Sequence, residues 1–384
     1  MAMRFIHTAD VHLSADAPHR LEVFREICAL AADCDALVVA GDLFHSGKVL
    51  RDRKLLADLR EALAGTAGKP VLLIAGNHEH LRSVGAAATP PCAADPFAGL
   101  ELGGHVFACG AGPADREVGG VRFRLVPFQR QGLPAQGLRP AAAEDLPRVA
   151  VLHGTAIDRP GLTMAALDSG DDEDSGDCLL RDADLAPFRY AALGHIHRRD
   201  QWSPGPGCVA SYPGSPDMVS SDETEERTVN RVTLDGTGAA TVERVPLRAA
   251  HRALPLHILL LPGLARQAEE RARLRVAQAP PGQVPVLRIT GFAPRAEAAG
   301  LCASLESAFR SRAPRPIVKN RVRDSGELEV GAGSLVGELF AKLGALEERD
   351  PVLAGRAAHL ALLAMSGENI PAELAAEDAD APAD

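Results

Sequence analysis

The sequence has no C-x-x-C pair, no apolar run of about 18 residues and only 5 lysines in 384 residues. Each absence excludes something. Seven cysteines, an odd number scattered from Cys28 to Cys302, rule out a disulfide framework or zinc knuckle and fit a reducing compartment. Without a long apolar run, no membrane span is expected. The opening MAMRFIHTAD enters a strand-like run directly and carries neither the apolar core nor the cleavage pattern of a secretory signal. A cytoplasmic location is therefore expected. Arginine outnumbers lysine 36 to 5, the mark of a GC-rich genome, so arginine abundance alone does not argue for a nucleic-acid partner. No internal repeat is present.

The charge that is present is unevenly spread. The net charge is −10, yet DSGDDEDSGD (168–177) and the tail 367–384 hold six acids each, and the rest of the chain carries +2. Between His251 and Asp324, 13 basic residues stand against 5 acidic ones. A basic module joined to a near-neutral one can engage a phosphate backbone. The acidic stretch 168–177 would repel DNA at a site rim unless it swings away; its plain alternative is a solvated loop.

Five short apolar runs mark the first part of the chain: MRFIHT, ALVVA, PVLLIA, RVAVLH and YAALG. Between the first two, Leu21, Phe24, Ile27, Cys28 and Ala31 recur at helical spacing. LRDRKLLADLREALAG follows the second run with similar spacing, and Gly65 is a stop signal. Strand alternating with helix predicts a layered α/β sheet. Residues 201–248 read as a β meander with an Asp235-Gly236 turn. From His251 a β-α-β-α-β pattern predicts a small second α/β module, followed by two amphipathic helices and an acidic tail. The expected boundaries are 1–250, 251–328, 329–368 and 369–384.

Each apolar run ends in residues able to bind a metal. The runs are followed by Asp10 and His12, by Asp42, by Asn77 and His78, by His153, and by His195 and His197. Alone, each is weak: an isolated H-x-H pair also reads as two surface histidines, and Gly-Asp is a common turn. Together they point to one rim, because sites form beyond the carboxyl ends of parallel strands. Imidazole, carboxylate and amide oxygen suit Mn²⁺, Fe²⁺ or Zn²⁺. With only Asp10 and Asp42 anionic, two divalent ions keep a formal surplus of about +2, able to bind a phosphodiester and a hydroxide. His78 is placed to protonate a leaving oxygen.

The series D-x-H, G-D, G-N-H-E, H and G-H-x-H over residues 1 to about 200 resembles the calcineurin-like metallophosphoesterases. FIHTADVHL, GDLFHSGK and YPGSP (212–216) look like one branch, the SbcD-type DNA double-strand-break repair nucleases, exonuclease subunit of the SbcC–SbcD complex. The resemblance implies a four-layer α-β-β-α sandwich with a small α/β capping domain and C-terminal helices. It implies two divalent ions, usually Mn²⁺. Asp10, His12, Asp42 and His197 would hold the first, and Asp42, Asn77, His153 and His195 the second, with His78 catalytic. DNA ends and hairpins as substrate, an SbcC-type coiled-coil ABC ATPase partner and a homodimer follow from the same resemblance. His45 is an expected substrate contact, with a surface residue at a helix start as the equal alternative. Arg271, Arg273 and Arg275 are expected DNA contacts. Glu79 departs from the branch, which often has Asp there.

Two other functions share these residues. A small-molecule or cyclic-nucleotide phosphodiesterase or phosphatase of the same superfamily would keep every ligand and differ in what covers the site. A non-catalytic scaffold would have no reason to keep all eight positions.

Overall fold

The computed structural model describes residues 2–80, 95–129, 138, 146–159, 178–324 and 335–366. The acidic stretch 168–177 and the tail 369–384 lie outside them. The chain divides into two units, Met1–Arg252 and Ala253–Asp384. Among the described residues no helix is long and apolar enough to cross a membrane.

The first unit runs β1 (Met3–Thr8), α1 (His19–Ala32), β2 (Ala36–Ala40), α2 (Arg53–Ala64), β3 (Val71–Ile74), the one-turn α3 (Asn77–His80) and β4 (Val106–Cys109). The hairpin β5 (Ala114–Val118) and β6 (Val121–Val126) follows, then β7 (Arg148–His153), β8 (Thr155–Ala156), β9 (Leu179–Leu180) and α4 (Asp182–Leu185). It closes with β10 (Tyr190–Gly194), β11 (Asp200–Trp202), β12 (Val209–Tyr212), β13 (Thr228–Leu234) and β14 (Ala240–Pro246). Helix α1 buries the apolar stripe Leu21, Phe24, Ile27, Cys28 and Ala31. Helix α2 starts where the Asp52 carboxylate accepts the Lys54 and Leu55 N–H groups, a cap worth about 1 kcal/mol.

Two six-stranded sheets result, ordered β14-β13-β1-β2-β3-β4 and β11-β12-β10-β7-β6-β5. Strands β1 to β4 are parallel, as are β6, β7, β10 and β12. Phe5, Val38 and Leu72 of the first sheet share one core with Phe123, Val151 and Tyr190 of the second. Helices α1 and α2 cover the outer face of the first sheet. Ala156, Leu180 and Leu185, from β8, β9 and α4, pack on the outer face of the second. The two sheets and their flanking helices form the layered α-β-β-α sandwich expected from the sequence.

The five apolar runs divide between the two sheets: β1, β2 and β3 lie in the first and β7 and β10 in the second. Apolar runs buried on both faces look alike in sequence whichever sheet takes them. One expectation changes: residues 201–248 are not a meander. β11 and β12 extend the second sheet, and β13 crosses to pair antiparallel with β1.

The second unit continues β15 (Arg252–Leu260) through α5 (Ala265–Ala277), β16 (Gln283–Ala293), α6 (Arg295–Ala308), β17 (Ile317–Asn320), β18 (Arg323–Asp324), α7 (Leu335–Glu347) and α8 (Pro351–Ser366). Helices α5 and α6 pack on one face of the β15-β16-β17 sheet. Phe340, Leu343, Ala354 and Ala358 of α7 and α8 pack on Leu259, Leu261 and Phe292. Much of the apolar surface of that helical pair is thus spent on its own sheet.

Candidate metal centre

The site is built from strand ends. Asp10 and His12 lie beyond β1, Asp42 beyond β2, Asn77 and His78 beyond β3, and His195 and His197 beyond β10, while His153 ends β7. The backbone there is strained. Asp10, His12, Asp42 and His195 adopt φ of 55°, 51°, 51° and 102°, where a side chain costs on the order of 1–3 kcal/mol. They are four of the five non-glycine residues at positive φ among the described residues. The loops are tied across the gap: Asp10 N–H to Gly41 O at 3.1 Å and His12 N–H to Asp42 O at 2.9 Å. His195 N–H donates to Asp10 Oδ1 at 2.9 Å, and His78 N–H to Asp42 Oδ1 at 3.0 Å. Glycines permit this closeness. A Cβ at Gly76 would fall on the Asp42 carboxylate, and one at Gly194 on the Ala40 carbonyl of the other sheet.

The donors gather in overlapping sets. Asp10, His12 and His197 offer ligand atoms within 4.8 Å of one another, as do Asp10, Asp42 and His153. His12 Nε2 stands 3.1 Å from His197 Nε2, and His153 Nε2 stands 3.3 Å from Asp42 Oδ2. Asn77 Oδ1 is 2.9 Å from His153 Nε2 and 3.3 Å from His195 Nδ1. Asp42 Oδ2 also faces His12 Nε2 at 4.0 Å, so it reaches toward both sides. Neighbouring donors around an ion with bonds of about 2.1 Å stand roughly 3.0–3.4 Å apart. Asp10 Oδ2 and Asp42 Oδ2 are buried without a hydrogen-bond partner, which native carboxylates rarely tolerate unless something else binds them. These residues fit divalent cations.

Protonation tells the same story. Burial raises the Asp10 pKa to about 6, against the pull of His153 and His197. Burial opposes charge on Asp42 too, but His153, His78 and His12 hold its carboxyl well below the usual range. Burial works against the His153 imidazolium, yet Asp42 and Asp10 raise its pKa to about 9. The pocket selects positive charge beside the two carboxylates.

His78 and His45 join the same rim. The rings of His12 and His78 are 4.5 Å apart and those of His45 and His78 5.5 Å apart. His78 Nδ1 bonds the His45 carbonyl at 2.7 Å. The three α5 arginines divide differently from expectation. Arg271 meets the buried Glu347 at 3.1 Å and donates to the Leu259 carbonyl, while Arg275 donates to the His257 carbonyl. Both turn inward. Arg273 is 51% exposed and pairs with Glu269.

Three features carry no strong sequence signal. The buried Glu79 carboxylate accepts the N–H groups of Asp42, Phe44 and Gly76 at 3.1, 2.8 and 2.7 Å, tying the second and third loops together. Burial, then Asp42, raises its pKa to about 8. Glu223 lies 3.4 Å from His197 Nδ1. A donor cluster apart from these, His19, Asp217 and His251, is an internal clasp. Asp217 pairs with His19 at 2.7 Å, sits 3.6 Å from Arg20 and accepts the His251 N–H. Arg20 in turn donates to the His12 carbonyl at 2.9 Å.

Residues 3–199 match the family model described as calcineurin-like phosphoesterase. The chain is 31% identical over 244 residues to the DNA double-strand break repair protein Mre11 of Aeropyrum pernix, covering 57% of this chain and 55% of that protein. The protein of the same name from Methanopyrus kandleri is 26% identical over 254 residues, covering 58% and 51%. The chain spans about half the length of these curated relatives. Among solved structures, the phosphopantetheinyl hydrolase of Mycobacterium tuberculosis aligns with a TM-score of 0.31 at 15% identity, over 55% of this chain and 89% of that one.

Proposed function

The chain belongs to the calcineurin-like phosphoesterase family, and on that premise we propose that it is a two-metal DNA nuclease of the SbcD type. It would hydrolyse phosphodiester bonds at DNA ends and hairpins during double-strand-break repair. The observation that carries the reading is the pair of overlapping donor sets around Asp10 and Asp42. In this reading Asp10, His12, Asp42 and His197 hold one ion, and Asp42, Asn77, His153 and His195 the other, with Mn²⁺ the expected metal. When bound, the ions supply an activated water and polarise the phosphoryl oxygens.

The protein's own groups do the rest. Asp42 has one oxygen on the His78 N–H and directs the other between His12 and His153, which suits a bridging carboxylate. His78 donates from Nδ1 to the His45 carbonyl, so Nε2 is the nitrogen that exchanges a proton with the leaving oxygen. His45, exposed at the same rim, contacts substrate. In the second unit Arg273 is the best placed of the three arginines for a phosphate contact, Arg271 and Arg275 being committed inward.

The same reading assigns residues 1–250 to the nuclease domain, 251–328 to a DNA-capping domain and 329–368 to helices that dock an SbcC-type ABC ATPase. Among the described residues of α7 and α8, Val352 and Leu353, 43% and 49% exposed at the start of α8, are large apolar side chains open to that partner. A homodimer completes the assembly.

The test is digestion of linear duplex DNA with Mn²⁺, Mg²⁺ or EDTA, beside hydrolysis of a small cyclic diester. Degradation of DNA with Mn²⁺ and none with EDTA is expected. Intact DNA alongside rapid turnover of the cyclic diester would establish the small-molecule phosphodiesterase instead.

A further inference from the structure

The ring of His197 is held by a group outside the donor sets. His153 Nδ1 meets the Ala40 carbonyl at 2.8 Å, with Asp10 Oδ1 at 3.9 Å. His197 Nδ1 faces a carboxylate oxygen, Glu223 Oε1, at 3.4 Å.

The two oxygens of Glu223 have separate tasks. Oε2 accepts from Ser215 Oγ at 3.1 Å, from the Val219 N–H at 2.9 Å and from Arg227 Nη1 at 3.1 Å. Arg227, 7% exposed, also donates to Ser215 Oγ at 3.2 Å. Those contacts fix the carboxylate. Oε1 takes part in none of them and is buried without a conventional hydrogen bond, turned to the imidazole. The YPGSP stretch completes the grip, because the Ser215 N–H donates to the His197 carbonyl at 3.1 Å. One loop therefore holds the backbone of His197 and, through Glu223, its ring.

Resting on the metal reading above, we propose that Glu223 is the positioning residue of His197 and governs one of the two metal positions selectively. A carboxylate at Nδ1 keeps the proton there and turns the Nε2 lone pair toward His12 and Asp10. It also makes that nitrogen more basic. Glu223 acts through His197, which belongs to one ion's set in that reading, so the effect stays on that side of the site.

Titration calorimetry of Mn²⁺ into the metal-stripped full chain tests this, with Glu223→Ala, the near-isosteric Glu223→Gln and His197→Ala compared with wild type. Wild type is expected to bind two ions. Glu223→Ala should weaken one site about 10–100-fold and the other less than about threefold, with Glu223→Gln between wild type and Ala. In a His197→Ala background, adding Glu223→Ala should change neither site, because the partner it acts through is gone. A merely structural Glu223 would lower the thermal midpoint in every background and leave both affinities alone. Unchanged affinities, equal weakening of both sites, or a full effect without His197 would overturn the proposal. A wild-type chain that takes up no Mn²⁺ would overturn the metal reading and this inference together; two normal sites in Glu223→Ala would overturn this inference only.

Discussion

The strand ends of the first unit and helix α5 of the second are both rich in charge, yet they treat it in opposite ways. On α5, Arg273 pairs with Glu269 and Arg266 with Glu270, one turn apart on an ordinary helical backbone. Arg271 forms an ion pair with Glu347 at 3.1 Å, whose other oxygen accepts the Leu259 N–H. At the strand ends, four residues accept left-handed backbone and two carboxylate oxygens are buried without a hydrogen bond. Ion pairs that satisfy each other stabilise a fold or merely decorate it. Groups held in strain with capacity left over belong to a site that something else completes.

The contrast is broken most forcefully at Asp42. Replacing Asp42 by Asn removes the carboxylate between His12 and His153, and Mn²⁺-dependent cleavage of a phosphodiester should fall by about 10³-fold or more, with metal content reduced. His78→Ala should cost roughly 10²–10⁴-fold in turnover while metal analysis still finds both ions. Loss of metal in His78→Ala would move that residue from proton transfer into the ligand set.

A smaller effect sharpens the other side of the comparison. Arg271→Ala leaves the Glu347 carboxylate buried without its cation. It should destabilise the chain by about 2–3 kcal/mol, below the full cost of a buried pair because Arg271 is partly exposed. Arg273→Ala breaks an exposed pair and should cost under about 1 kcal/mol; if the proposed DNA contact holds, it should also flatten the salt dependence of DNA binding. Denaturant unfolding and a binding titration in salt separate the two. Equal destabilisation would mean that Arg271 and Glu347 are not coupled.

A last effect concerns pH. His7 lies between the sheets with Nδ1 on the Tyr190 hydroxyl at 2.8 Å, and burial lowers its pKa from 6.5 to about 3. The unfolded chain therefore binds a proton below pH 6.5 that the folded chain refuses. This contribution to stability is fully present above that pH and is lost as pH falls toward 3. Between pH 7.5 and 5.5 it amounts to about 1.3 kcal/mol. Thermal midpoints of metal-free wild type and His7→Gln should converge as the solution is acidified.

Much of this was readable before any coordinates. All eight site positions lie where a strand run ends, because catalytic donors on a parallel sheet must stand just past the carboxyl terminus. The helical stripe of α1 and the turn at Asp235 follow from local periodicity and turn chemistry. What could not be read depends on distant partners. Glu223 acts on a histidine 26 positions earlier in the sequence, within a loop whose course depends on the second sheet. Arg271 looked like a DNA contact because its partner, Glu347, lies 76 residues away. The division of the runs between two sheets was hidden for the same reason: burial on both faces erases the alternation that distinguishes one sheet's neighbours from another's.

That division has a consequence for assembly. The first sheet brings Asp10, His12, Asp42 and Asn77; His153, His195 and His197 arrive with the second. Neither sheet alone holds a complete donor set for either proposed ion, since each set takes residues from both. On the proposed reading, metal capture is thus a coincidence detector for the finished sandwich, because each donor set takes residues from both halves.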